Sequence, residues 1–227
     1  MPIASRTGRR WDLSCNPRRS FPHGPFRLRY LWPASEGGIL REKRCVFVLG
    51  GARSGKSRFA QKVAESRGGK VLFVATAEPL DKDMRERIEK HRKERPEHWE
   101  TIEAPTHLAE NIAKHLEGAS VVLIDCLTLL VSNVILGHER GFSSSIEIQS
   151  EQAESLVLEE INALLALAKS TPVPFIIVSN EVGWGLVPEN RLGRIYRDVL
   201  GRANQIVAEH ADEVYLMAAG IPMKIKG

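Results

Sequence analysis

The chain has 227 residues, 43% hydrophobic and 26% charged, an ordinary balance for a globular protein able to bury a substantial core in one or two domains. Its net charge of +4 does not argue for a nucleic-acid groove: residues 1–44 hold ten Lys/Arg against three Asp/Glu, and the remainder holds 22 basic against 25 acidic residues. No apolar run approaches the roughly 18–20 residues that span a bilayer. Cys15, Cys45 and Cys126 form neither a CxxC pair nor a metal-ligand spacing, so no disulfide framework or zinc site is expected, and a reducing cytoplasm fits.

Residues 1–44 contain five of the twelve prolines and clustered arginines (Arg9, Arg10, Arg18, Arg19) without sustained periodicity, and read as a poorly ordered basic extension. Their Arg-rich, acid-poor composition fits an organelle transit peptide; a start codon assigned too far upstream fits it better. A nucleotide-binding catalytic domain is expected over 45–227.

That domain opens with the apolar strand 45–49, which feeds Gly50-Gly51-Ala52-Arg53-Ser54-Gly55-Lys56-Ser57 and then a helix over 56–67. This is GxxxxGK(S/T), the phosphate-cradling loop. Its glycines let the backbone curl so that successive N–H groups point at phosphate oxygens. Lys56 supplies a point charge for the β- and γ-phosphates, the Ser57 hydroxyl suits Mg²⁺, and the helix dipole faces the same anion.

A second apolar strand is expected at 71–75, followed by a helix over 81–95. Met84, Ile88 and His91 recur there at i, i+4, i+7, which sets His91 on or beside the inward stripe, amid Lys90, Arg92, Lys93 and Arg95. Neighbouring cations favour neutral imidazole, a competent nucleophile toward phosphorus. Spacing alone does not separate that role from a structural histidine, and His98 beside Trp99 competes with it.

A helix at 106–116 precedes the strand 121–125, which ends on Asp125. A carboxylate there, on a strand beside the phosphate loop, suits Mg²⁺ or its water shell, or else serves as a plain helix cap for the next segment. The helix 151–169 spaces Ala153, Leu156, Ile161, Leu164 and Ala168 along one face. After the strand 174–179 comes a polar, Gly-rich stretch holding Asn180, Glu181, Gly183, Trp184 and Gly185, then a helix over 189–210 carrying Arg191, Arg194 and Arg202. A loop at the carboxyl end of a parallel strand is where open α/β sheets bind ligands. A structural loop with a solvated basic helix explains the same residues. A last strand is expected at 213–218. Short apolar strands alternating with helices predict an α/β fold: a mostly parallel phosphate-loop sheet with helices on both faces.

GGARSGKSRFA, VATAEPLDKDMRERIEKHRKERPEHW, LIDCLTLLVSN and SNEVGWGLVPENRLGRIYRDVLGRANQ, in this order, resemble the bifunctional adenosylcobinamide kinase / adenosylcobinamide-phosphate guanylyltransferase family over residues 45–226. The resemblance implies a RecA-like domain, a homotrimer, and two reactions. A nucleoside triphosphate (GTP or ATP) phosphorylates adenosylcobinamide. A histidine then takes GMP from GTP and passes it to the adenosylcobinamide phosphate. By motif that histidine is His91, with Lys56 and Mg²⁺ holding the pyrophosphate end. The resemblance extends the nucleotide contacts to Thr76, Ala77, Glu78, Arg92, Lys93, Glu94, Arg95, Glu103 and Asp125.

Two other readings remain: a phosphate-loop kinase or ATPase using only the γ-phosphoryl group, with His91 structural, and a nucleotide-gated module acting on nucleic acid through the basic tail.

Overall fold

The computed structural model describes residues 44–79, 81–93, 95–141 and 150–227. The expectation for residues 1–44 falls, apart from Arg44, outside the described residues. In chain order the elements are β1 (Cys45–Gly50), α1 (Lys56–Arg67), β2 (Val71–Ala75), α2 (Lys82–Lys93), β3 (Glu100–Glu103), α3 (Leu108–Ala113), β4 (Val121–Asp125), α4 (Leu127–Gly141), α5 (Ser150–Ser170), β5 (Phe175–Asn180), α6 (Arg191–His210), β6 (Glu213–Ala218) and β7 (Ile221–Lys226). None of these helices is long and apolar enough to cross a membrane.

The strands form one seven-stranded sheet in the order β3-β2-β4-β5-β1-β6-β7, parallel except for β7. Strands β1, β2, β4 and β5 bury both faces, which is why they read as continuous apolar runs. Alternate residues feed two cores. Val46, Val48, Phe73, Leu123 and Val178 pack with Ala60, Val63 and Ala64 of α1. Phe47, Val74, Ile124 and Ile177 pack with α3, α4, α5 and α6 on the other face. Phe47, Phe73, Phe175 and Ile124 are almost wholly buried, each such side chain contributing about 1.5–3 kcal/mol relative to exposure.

Five expected strands and five expected helices are present, with ends shifted by up to three residues. Along α5 the buried stripe is Ala153, Val157, Ile161, Leu164, Leu165 and Ala168; Leu156 lies at its margin, half-buried, because the helical face turns toward Val157. Three elements were not expected. Helix α4 follows β4 directly and buries Leu127, Leu130, Val131 and Ile135. Strand β3 is a four-residue edge strand with alternating exposure. Strand β7 returns from β6 through Ala219 (φ 50°) and Gly220 (φ 82°), the paired positive angles of a two-residue hairpin turn.

Candidate nucleotide site

The phosphate loop leaves the end of β1 near the middle of the sheet. At Gly50 a Cβ would lie 2.5 Å from Ser54 Oγ and 2.8 Å from the Met217 carbonyl oxygen, so the turn admits only glycine there. Gly55 adopts φ 90° as it enters α1, and no side chain caps that helix, which leaves its first-turn N–H groups to the loop's concavity. Neighbouring strands pin the loop: Glu181 N donates to Gly50 O at 3.1 Å, and Gly220 N donates to Ser54 O at 2.9 Å. Lys56 is buried and donates from Nζ to Gly51 O at 3.2 Å, so its ammonium lies folded across the loop. Ala52 and Arg53 are exposed on the outer rim, while Ser57 is half-buried.

The parallel strands bring their carboxyl ends to one edge. Gly50 is in register with Asn180, Asp125 with Val178 and Ala75, and Ala75 with Glu103. The expectation that Asp125 ends a strand beside the phosphate loop needs correction. Strand β5 lies between β4 and β1, because the chain inserts β5 into the sheet only after α4 and α5. Asp125 therefore reaches the loop's neighbourhood across one strand, from a half-buried position. The Asp125–Cys126 peptide is cis.

Thr76 is fully buried and committed to the backbone. Its hydroxyl donates to Cys126 O at 2.8 Å and accepts from Cys126 N at 2.9 Å. Asn133 of α4 donates to Thr76 O at 2.7 Å and to Pro105 O at 3.0 Å, tying the loops after β2, β3 and β4 together. Burial first, and then the Asp125 carboxylate, push the Cys126 thiol up to about 11, so it is no nucleophile at neutral pH. Ala77 and Glu78 are half-buried at the mouth, and Glu103 is exposed.

Helix α2 begins at Asp81, whose carboxylate accepts from Met84 N at 2.6 Å. Met84, Ile88 and His91 are half-buried on one stripe, while Arg92 and Lys93 are exposed. Among the described residues the hydrogen bonds and ion pairs of α2 are local. Glu94 lies outside the described residues. Arg95 turns back onto the sheet, its guanidinium carbon 3.7 Å from the Phe73 ring centroid. Trp99 stacks on Phe73 from 6.3 Å. Burial holds the Arg95 pKa below its ordinary value; the Asp125 and Glu103 charges pull it upward and Arg92 pushes it down. Residues far apart in sequence thus share one electrostatic neighbourhood. His98 is exposed in the turn preceding Trp99.

Sequence reasoning named Asn180 but missed the residues that hold it. Thr128 Oγ1 accepts from Asn180 N at 2.8 Å, and Asn204 Nδ2 donates to Asn180 O at 3.0 Å. Asn180 Oδ1 is buried without a hydrogen-bond partner beside the phosphate loop. The arginines of α6 have structural partners: Arg194 Nη1 donates to Pro188 O at 3.0 Å and Glu189 O at 2.5 Å, and Arg202 lies 3.9 Å from Glu154. A groove of about 470 Å³ lies between α3, α4 and α5, with Asn133 in its lining, and contains no phosphate-loop residue.

The model of the cobinamide kinase / cobinamide phosphate guanyltransferase family matches residues 46–225, from β1 into β7. The chain belongs to this family. Within the cobinamide kinase / cobinamide phosphate guanyltransferase family, the bifunctional adenosylcobalamin biosynthesis protein CobU of Escherichia coli is 42% identical over 181 residues, 80% of this chain and 99% of that protein. Its Salmonella typhimurium counterpart is 42% identical over 183 residues, and the Pseudomonas aeruginosa protein CobP is 39% identical over 180 residues, covering 99% and 96% of those proteins.

The oxygen donors at the loop suit a hard cation. Ser57 and Asp125 offer a hydroxyl and a carboxylate, both half-buried, and the orphaned Asn180 Oδ1 adds an oxygen at the same edge. Among the described residues no cluster of three or more His, Cys, Asp or Glu forms a cage. This family member therefore fits Mg²⁺ held by few protein oxygens together with phosphate and water, and not an all-protein site.

Proposed function

We propose that the protein phosphorylates the aminopropanol hydroxyl of adenosylcobinamide and then, through a GMP–His91 intermediate, joins GMP from GTP to the adenosylcobinamide phosphate, giving adenosylcobinamide-GDP. The observation that carries the reading is a family match running from β1 into β7 on a chain whose β1 ends in a complete phosphate loop.

In the kinase step the loop N–H groups and Lys56 hold the triphosphate. The substrate hydroxyl oxygen bonds to the γ-phosphorus, the bridging P–O bond to the β-phosphate breaks, and the hydroxyl proton passes to solvent. In the guanylyl step a ring nitrogen of His91 bonds to the α-phosphorus while the α–β bridging bond breaks and pyrophosphate leaves. A phosphate oxygen of adenosylcobinamide phosphate then bonds to the same phosphorus, the P–N bond breaks, and the imidazole is restored. Splitting the transfer gives two displacements, each with a good nucleophile or leaving group. Mg²⁺ held by Ser57 and Asp125 would neutralise charge on the phosphates.

Arg95, seated on Phe73 between Asp125 and Glu103, anchors the end of α2 to the sheet edge, and Thr76 and Asn133 brace the loops around it. In this reading Ala77, Glu78, Arg92 and Lys93 line the nucleotide. The exposed apolar stripe Ile221, Met223 and Ile225 on β7 supports association of copies, for which we propose a homotrimer. A cytoplasmic setting fits its buried free thiols Cys45 and Cys126.

The half-burial of His91 beside Met84 and Ile88 also favours a second reading, a kinase using only the γ-phosphoryl group, in which this histidine only packs. Reactions with γ-labelled and α-labelled GTP separate the two. The first reading requires label from the γ-position on adenosylcobinamide and label from the α-position on protein, both lost in Lys56→Ala; γ-transfer without protein label supports the second.

A further inference from the structure

Among the described residues the exposed large hydrophobic side chains fall in two short segments. Trp184 is 81% exposed, Leu186 96% and Val187 62%; the others are Ile221, Met223 and Ile225 of β7. Each segment follows a residue bonded to the phosphate loop, Glu181 to Gly50 and Gly220 to Ser54, but they present their apolar surface differently. Strand β7 starts at the hairpin that bonds Ser54 and runs antiparallel to its neighbours. At about 3.3 Å per residue its stripe recedes some 13 Å from the site. The 181–190 loop, by contrast, starts right after Asn180, which is in register with Gly50, and leaves Trp184, Leu186 and Val187 exposed.

That loop is a held platform. Glu181 Oε1 accepts from Gly183 N at 2.6 Å, Arg194 bonds the Pro188 and Glu189 carbonyls, and Asn190 Oδ1 accepts from Gly193 N at 2.6 Å as the cap of α6. Asn190 also stands at the lip of a separate groove of about 260 Å³ between α4 and α6, lined by Ile135, Leu136, Leu192 and Tyr196. The structure therefore holds a flat indole and two aliphatic side chains exposed on one braced loop that leaves β5 beside the phosphate loop.

We propose that Trp184, Leu186 and Val187 are the docking surface for the corrin ring of cobinamide, which lies against them with its side-arm hydroxyl directed to the phosphate loop. The proposal rests on the function read above, which requires a large flat acceptor beside the loop. A macrocycle whose rim carries methyl groups between its amide arms offers apolar surface to an exposed indole, whose large ring area otherwise stays in water. The fixed backbone of the loop means little ordering cost on binding. The acceptor's size also explains why its platform is an open surface and not an enclosed pocket.

The test uses the full chain, wild type, Trp184→Ala and Leu186→Ser/Val187→Ser. Four quantities are read: KM for adenosylcobinamide, KM for GTP, protein labelling by α-labelled GTP without corrinoid, and native mass by light scattering. Both variants should raise KM for adenosylcobinamide about tenfold or more, with the other three unchanged. An unchanged corrinoid KM, a parallel rise in KM for GTP, or a fall in native mass that assigns the patch to a second copy would each overturn it. Quenching of tryptophan fluorescence by dicyanocobinamide separates this proposal from the functional reading. Wild type that is quenched, with quenching weakened in Leu186→Ser/Val187→Ser, which keeps the indole, but that transfers neither group retains the dock and loses the reading; wild type without saturable quenching loses the dock.

Discussion

The guanidinium carbon of Arg95 sits 3.7 Å from the ring centroid of Phe73, with the charges of Asp125 and Glu103 acting on it from the ends of β4 and β3. This contact fastens the segment after α2 to the sheet edge carrying the phosphate loop. A desolvated cation over an aromatic face contributes about 1–2 kcal/mol. Arg95→Ala should lower the unfolding free energy in urea by about that amount and slow protein labelling by α-labelled GTP. Arg95→Lys, which keeps the charge without the planar face, should fall between. Equal stability for all three proteins would show the contact to be idle.

The loop glycines differ in what surrounds them. A Cβ on Gly50 meets Ser54 Oγ at 2.5 Å and the Met217 carbonyl at 2.8 Å, whereas one on Gly51 meets nothing within 4 Å. Overpacking against backbone costs roughly 1–3 kcal/mol, so Gly50→Ala should lower Tm by several degrees, at about 2–4 °C per kcal/mol for a chain this size. Gly51→Ala should leave the Tm of the nucleotide-free protein within about 1 °C. Calorimetry on both variants checks the contrast.

Glu100 ties β3 to its neighbours: Lys70 Nζ lies 2.6 Å and His115 Nδ1 2.9 Å from its carboxylate. The hydrogen bond from Lys70, and then that from His115, hold the Glu100 carboxyl below its ordinary value. A depressed carboxyl pKa contributes stability above the unfolded value, about 4.3, and loses it as pH falls through the folded value. The pair is partly exposed, so the contribution is modest. Urea denaturation from pH 7 to pH 3 should show Glu100→Gln less stable than wild type at neutral pH, with the gap closing below about pH 4. A gap that stays constant down to pH 3 contradicts this assignment.

The strands β1, β2, β4, β5 and β6 were legible because burial on both faces leaves continuous apolar runs, and the phosphate loop was legible because its chemistry fixes its spacing. Helix α4 was hidden by the same property: Leu127 to Ile135 is so apolar that no helical period stands out, and of the three polar residues interrupting it, Thr128, Ser132 and Asn133, the first and last bond to the rest of the site. Those two residues make the bonds to Asn180 N and Thr76 O, so polar positions in an apolar run were the available signal. Strands β3 and β7 escaped because one is four residues long with glutamates at both ends, and the other carries Pro222 on the sheet edge. Chain order does not reveal strand order, which is why Asp125 was placed one strand too close to the loop. Met84, Ile88 and His91, spaced along one face of α2, are each half-buried. The contact of Arg95 with Phe73 left no trace in any local pattern.

The most direct test incubates wild type and His91→Ala with α-labelled GTP and follows the label on the denatured protein. A phosphoramidate requires label on wild type that is labile in acid and stable in alkali, with none on His91→Ala while γ-phosphoryl transfer to adenosylcobinamide persists in that variant. Undiminished label on His91→Ala would contradict the assignment of the nucleotide carrier.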